Sequence, residues 1–187
     1  MFPVLIVLNS GKKEQILQMA KNVSVELLED TRSLHDILET CKDACKIIGI
    51  SDETMWLDLE INGYLVRYKT RDDLYQNLPS YRRTAWKFYD LYGNLITLPP
   101  TMMDLFGKST VYHPVKELEN QGQIAVESKF LDGFNKFIVE HGVDQASKSL
   151  RIHEARISKD EIKHVLEGIK KKIQELLDMI ISLLEVE

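Results

Sequence analysis

Cysteine is scarce: Cys41 and Cys45 are the only two in 187 residues. They stand four apart, on one expected helical face, where a disulfide forms only under strain, and reduced thiols are the expectation. A closed zinc centre takes four nitrogen or sulfur ligands, and no second Cys or His pair stands at ligand spacing beside His35, Cys41 and Cys45, so no metal and no cofactor is expected. Five prolines and nine glycines exclude collagen-like and low-complexity chains. Long apolar runs are missing too. No stretch approaches the ~20 residues that a membrane span needs. The apolar residues 1–8 have no basic residue ahead of them and no small-residue cleavage site, which argues against a signal peptide. No membrane association and a cytoplasmic location are the expectations. Gly-rich phosphate loops, the Gly-x-Ser-x-Gly elbow, His-Glu-x-x-His and the Walker sequence are all absent, which excludes the easily read enzymes.

An excess of positive charge is also lacking. The 24 basic and 29 acidic residues leave a net charge of -5, no global reason to expect duplex nucleic acid. What is present is an ordinary globular composition, 44% hydrophobic and 28% charged, in a chain long enough to bury roughly 70% of its unfolded surface without staples.

Periodicity supplies the elements. Apolar residues at steps of three and four predict a helix over 12–29, which the β-branched Val23 and Val25 weaken near 22–24. Ser33 caps a second helix carrying Leu34, Ile37, Leu38, Cys41, Ala44, Cys45 and Ile48, which Gly49 stops. A third starts after Ser51 with Asp52 and Glu53 in its first turn, and ends at Asn62 and Gly63. After Tyr64 the period changes. Strands over 81–90 and 95–98 flank the hairpin residues Tyr92, Gly93 and Asn94. A helical turn over 102–106, an extended piece over 110–115, and a helix over 130–141 with Phe130, Phe134, Phe137 and Ile138 inward follow. Residues 149–157 alternate and predict a strand. Ser158 and Glu161 form a capping box ahead of a long amphipathic helix over 159–185, whose apolar set from Ile162 to Leu184 repeats at eleven. The expectation is one α+β domain over 1–187: amino-terminal helices and a long carboxy-terminal helix packed with a small antiparallel sheet, after an apolar extension over 1–11. The long helix needs a long partner, supplied by the opening helices or by a second copy in a homodimer.

Between Tyr64 and Tyr92 lie eight of the fifteen aromatic residues, with six basic against three acidic side chains. Rings interleaved with cations suit single-stranded nucleic acid; they equally suit the core of a small sheet or a surface for a protein partner. His153, Glu154 and Arg156 bring an acid–base pair and a cation into one predicted strand, yet 154 and 156 share a face that 153 does not, so a solvated face is expected. Lys170, Lys171 and Lys172 mark the wet side of the last helix. The arginine-to-histidine spacing of the helical HEPN ribonucleases is absent.

The helix Ser33-Leu34-His35-Asp36-Ile37-Leu38 running to Gly49, the block Trp56-Leu57-Asp58-Leu59-Glu60-Ile61-Asn62-Gly63-Tyr64, the sequence Pro79-Ser80-Tyr81-Arg82, and Ala155-Arg156-Ile157-Ser158 before the last helix together resemble the AbiTii domain, over roughly residues 14–185. Ile61 stands where that family usually has Leu, and a basic stretch follows Tyr64 where an acidic, proline-containing turn is common. The resemblance implies a role in abortive infection and other prokaryotic conflict systems, and it carries over no catalytic residue. In the block, Trp56 and Leu59 anchor the helix, Gly63 ends it, and Glu60 or Asn62 bonds the following backbone. Glu60, Asn62, Tyr64 and Arg82, with His153, are the candidates for a pocket or partner surface. The expected function is a non-enzymatic protein-interaction domain in antiviral defence; the alternative is a nucleic-acid-directed effector, RNA-binding or nuclease-like.

Overall fold

The computed structural model describes residues 9–103, 108–126, 128–141 and 150–185. They form two compact units. The first comprises the described residues among 9–77, 112–120 and 166–185, the second those among 78–111 and 121–165. Residues 1–8 of the extension expected over 1–11, residues 104–106 of the expected turn and position 149 of the expected strand lie outside the described residues.

The first unit is helical. Helix α1, Ser10–Glu29, is uninterrupted through 22–24, and Asn9 caps it by accepting from the Lys12 N–H. Helix α2, Leu34–Ile48, begins at Ser33, whose hydroxyl accepts from the Asp36 N–H at 3.1 Å, and ends at Gly49 with φ +89°. Its first turn is also held from a distance in sequence: the Glu119 carboxylate accepts from the Leu34 N–H at 2.6 Å and the His35 N–H at 3.2 Å. An anion at a helix amino terminus meets both the free donors and the favourable end of the dipole. Helix α3, Ser51–Asn62, ends at Gly63 and leads through a 3-10 turn, Tyr64–Val66, into helix α4, Arg71–Asn77. Helix α4 lies where a change of period was expected; Thr70 supplies its cap, accepting from the Asp73 N–H.

The last helix runs from Lys159 to Glu185 and is numbered α8 below. From residue 166 it belongs to the first unit, where it runs antiparallel to α1: Lys170 pairs with Asp30, Gln174 and Ser24 exchange hydrogen bonds at 2.8 and 3.1 Å, and Glu185 meets Lys21 at 2.7 Å. Ile169, Ile173, Leu176, Leu177, Ile180 and Leu184 are buried within the single chain. Burying six such side chains contributes about 9 to 18 kcal/mol before ordering entropy is charged. Lys170 and Lys172 are not on the wet side. They are half-buried, because the carbon stem of a lysine can lie along an apolar surface while its head reaches a partner.

The second unit is built on a four-stranded antiparallel sheet in the order β3-β2-β6-β5, from β2 (Lys87–Tyr89), β3 (Leu95–Ile96), β5 (Ile124–Ala125) and β6 (Glu154–Ile157). A separate pair, β1 (Arg83–Ala85) with β4 (Lys108–Thr110), forms a two-stranded ribbon. Two short helices complete the chain order, α5 (Pro100–Met102) in this unit and α6 (Val115–Asn120) in the first, the latter where only an extended piece over 110–115 was expected. Helix α7, Ser128–His141, lies against β6, and Phe88, Leu98, Met102, Leu131, Ile138, Ile152 and Ala155 form the core. Phe130 does not point inward. It is 57% exposed, and Leu131 takes its place. Asn135 on α7 fixes this rotation: its amide donates to the Ile152 carbonyl and accepts from the Ile152 N–H, both at 2.8 Å. That clamp also holds residue 152 outside the ladder, so the strand starts at Glu154 and the burial alternation slips by one at the bend of His153.

Candidate functional site

The most polar part of the first unit's interior is the end of α3. Glu60 is fully buried, and its Oε1 accepts from the Trp56 Nε1–H at 3.1 Å and the Tyr64 hydroxyl at 2.7 Å. The positions 56, 60 and 64 make this possible, since residues four apart lie above one another along a helix and its following turn. A buried carboxylate needs such donors, because leaving water uncompensated costs several kcal/mol. Lys172 of α8 places its Nζ 4.2 Å from the Trp56 ring centroid and 3.9 Å from Glu53, tying the same cluster to the long helix.

Gly63 then turns the chain with φ +80° and ψ 156°, a conformation that side chains resist. It does more than end the helix. A Cβ there would lie 2.9 Å from Pro114 Cδ and 3.0 Å from the Tyr112 carbonyl oxygen, while the next N–H, of Tyr64, donates to that same oxygen at 2.9 Å. The glycine lets two segments about fifty residues apart in sequence meet backbone to backbone within this unit. Asn62 takes no part in the cluster. It is exposed, and its amide bonds the preceding backbone, at Asp58 O, rather than the following one. Glu60 bonds the side chains of Trp56 and Tyr64.

The other two candidates belong to the second unit. Arg82 is fully buried at the end of a 3-10 turn, Ser80–Arg82; its Nη1 donates to the Val111 carbonyl at 2.6 Å and its own carbonyl accepts from the Val111 N–H at 2.9 Å. A guanidinium bonded to a backbone carbonyl in the interior fixes the segment that precedes β1. His153 is exposed at the bend before β6, with its N–H on the Tyr89 carbonyl at 2.9 Å. Glu154 and Arg156 do share a face, as expected from alternation.

Two surface features escaped the sequence. The first is an open groove of about 710 Å³ in the first unit, where the end of α2 meets the start of α3, with Lys42, Lys46, Ile50, Thr54, Met55 and Asp58 among its walls. Lys42 is anchored there by Asp58 at 2.7 Å, and this hydrogen bond, with the carboxylates nearby, raises its pKa. Met55 is 43% exposed. The second is the outer face of the four-stranded sheet, where the Arg156 guanidinium lies 4.1 Å above the Tyr89 ring. The run of aromatic and basic residues signalled it only loosely, because which residues pair across strands is not written in any local pattern. Charge divides between the units as well: among the described residues the second holds ten Lys and Arg against six Asp and Glu, the first thirteen against nineteen.

Among the described residues no group of three or more His, Cys, Asp or Glu side chains could hold a metal ion, and no helix is long and apolar enough to cross a membrane. Cys41 and Cys45 are both buried free thiols. A model of the AbiTii family matches residues 18–185, nearly the whole chain. No curated protein and no solved structure matches.

Proposed function

We propose that this chain, which belongs to the AbiTii family, is a non-enzymatic protein-interaction domain acting in abortive-infection defence against viruses. The family match supports the setting. The observation that carries the molecular reading is the burial of the most enzyme-like side chains: Glu60, Tyr64 and Arg82 are almost fully buried and bonded to the protein itself. A general acid or base has to come within hydrogen-bond reach of its substrate, and these groups are enclosed by their own fold. The surface that suits a protein partner is the α2–α3 groove, where the exposed Met55 shares the walls with Lys42 and Lys46. Methionine adapts its shape to a partner, and the cations at the rim steer approach.

The test is phage plating on cells that express the full chain. Glu60→Gln keeps the shape and the acceptor oxygen but cannot act as acid or base, and protection should persist. Met55→Asp with Lys46→Glu reverses the groove's chemistry, and protection should fall to the level of empty cells while the melting temperature stays unchanged. Loss of protection with Glu60→Gln at an unchanged melting temperature, together with full protection in the groove variant, would overturn the reading.

A further inference from the structure

An antiparallel sheet with a helix on one face leaves its other face to solvent. In the four-stranded sheet, Phe88, Ala155, Ile124 and Ile157 point inward and are buried. The register sets two cross-strand rows on the outer face, Leu95 beside Tyr89 beside Glu154, and Lys87 beside Arg156 beside Ala125. Leu95 is 62% exposed, and the side chains of Arg156 and Glu154 keep 31% and 39% of their surface in water.

Arg156 is the centre of this face. Its guanidinium lies over the Tyr89 ring, and Nη1 stands 3.3 Å from both the Glu154 and the Gln123 side-chain oxygens. Those acceptors hold the cation on the sheet's outer face, where its planar shape and charge suit stacking on an unpaired base. Lys87, its direct cross-strand neighbour, carries a second cation whose Nζ is 3.4 Å from the Ser158 hydroxyl. Neighbouring strands are ~4.8 Å apart, so a base on Arg156 brings its phosphate within reach of Lys87. Glu154 is placed to accept from an exocyclic amine, and it repels carboxylates, which disfavours an acidic peptide. Local charge agrees, since this unit is net basic in a chain whose net charge is -5.

The geometry points to this outer sheet face as a binding site for single-stranded nucleic acid, a function beyond the protein-interaction reading and independent of it. A duplex is a poor occupant because its bases are already stacked.

The test uses the full chain and four fluorescein-labelled probes of equal length: oligo(U), oligo(dT), duplex RNA and oligo-glutamate. Anisotropy is followed to about 100 μM protein, the upper range of non-specific association. Both single strands should bind more tightly than the duplex and the peptide. Two cations predict a log–log salt slope of about -1.4, at roughly -0.7 for each neutralised phosphate. Arg156→Ala should weaken binding about fivefold or more, Lys87→Ala should weaken binding and lower the salt slope by about 0.7, and Lys136→Ala on α7 should change neither. Arg156→Lys keeps the charge and loses the plane, so it should fall between wild type and Arg156→Ala; it also serves if the alanine variant fails to fold. A preference for oligo(U) over oligo(dT) assigns RNA as the source and equal affinity assigns either strand, both in keeping with the site. No binding, equal binding of duplex or oligo-glutamate, or affinities unmoved by the Arg156 and Lys87 variants would each overturn it.

Discussion

Replacing Gly63 with alanine should damage the fold far more than a single methyl group suggests. Two costs combine. The backbone at φ +80°, ψ 156° lies in a region reserved almost wholly for glycine, and holding a side chain there costs about 1 to 3 kcal/mol. The added Cβ would also sit 2.9 Å from Pro114 Cδ and 3.0 Å from the Tyr112 carbonyl oxygen. Neither neighbour is the loose end of a flexible chain, since one is a proline ring and the other is backbone that accepts the Tyr64 N–H at 2.9 Å. Relieving the overlap moves that pairing, at a further cost of about 1 to 3 kcal/mol. Together these give roughly 2 to 6 kcal/mol, a large part of the ~5 to 15 kcal/mol that stabilises a typical domain. At about 2 to 4 °C for each kcal/mol in a chain of this size, thermal unfolding should fall by about 4 to 24 °C. Differential scanning calorimetry of the full chain measures it. Gly133→Ala is the control: it lies within α7 with nothing inside 4 Å of the new Cβ, so it should stabilise by about 0.5 to 1 kcal/mol. A Gly63→Ala melting temperature within about 2 °C of wild type would refute both the strain and the contact.

Tyr64→Phe deletes the hydroxyl that donates to Glu60 at 2.7 Å, and the urea midpoint should drop by the equivalent of about 1.5 to 3 kcal/mol; an unchanged midpoint would mean the bond contributes nothing. Burial pushes the Cys41 and Cys45 thiols up to about 12. A raised folded-state value favours the neutral thiol, so this contribution is complete below the ordinary value of 9.0 and is lost as pH climbs from there toward 12. Iodoacetamide at pH 8 should therefore spare both thiols in the folded protein and alkylate both in urea, and rapid alkylation of the native chain would contradict their burial. Asp90 shifts the other way. The Asn94 side-chain amide, with the Asn94 and Tyr92 N–H groups, lowers its pKa, so the hairpin's stabilisation is present above the ordinary aspartate range and disappears as pH falls through the lowered value. A carbon-13 titration should place the Asp90 carboxyl below unstructured aspartate, and an ordinary value would refute the turn.

Legibility in the sequence followed the length of each element and the locality of its cause. Helix α8 was readable because 27 residues repeat one apolar stripe many times, and α2 because Ser33 and Gly49 mark both ends. Helices α4 and α6, of seven and six residues, are too short for periodicity to register. Cap chemistry could have found α4, since Thr70 precedes Asp72 and Asp73 at first-turn positions. Phe130 and Leu131 each fit an inward stripe on α7, and the choice is made by Asn135 gripping Ile152 seventeen residues away, a contact no helical pattern encodes. The same holds for the lysines of α8. Lys170, Lys171 and Lys172 read as one solvated run, yet Asp30 and Trp56 draw two of them onto the first unit's surface. Of the candidate site, the block around Glu60 was legible as residues, while its enclosure was not, because burial depends on segments brought in from residues 112–120 and 166–185.

That enclosure changes where function has to be sought. In the block from Trp56 to Tyr64, each distinctive side chain has a physical task within its own unit: Trp56 and Tyr64 donate to Glu60, Leu57 and Leu59 fill the core, and Gly63 admits the Tyr112 backbone. A substitution there acts first on the fold, because removing either donor leaves a buried carboxylate short of a partner. Loss of protection in such a variant therefore says little about chemistry unless the folded fraction is measured beside it. The informative substitutions are at the groove and on the outer sheet face, where Met55, Lys46, Lys87 and Arg156 have solvent-accessible surface and no core to disturb. Placing the two surfaces in different units gives them separable variants, so a defect in protection and a defect in nucleic-acid binding can be assigned independently.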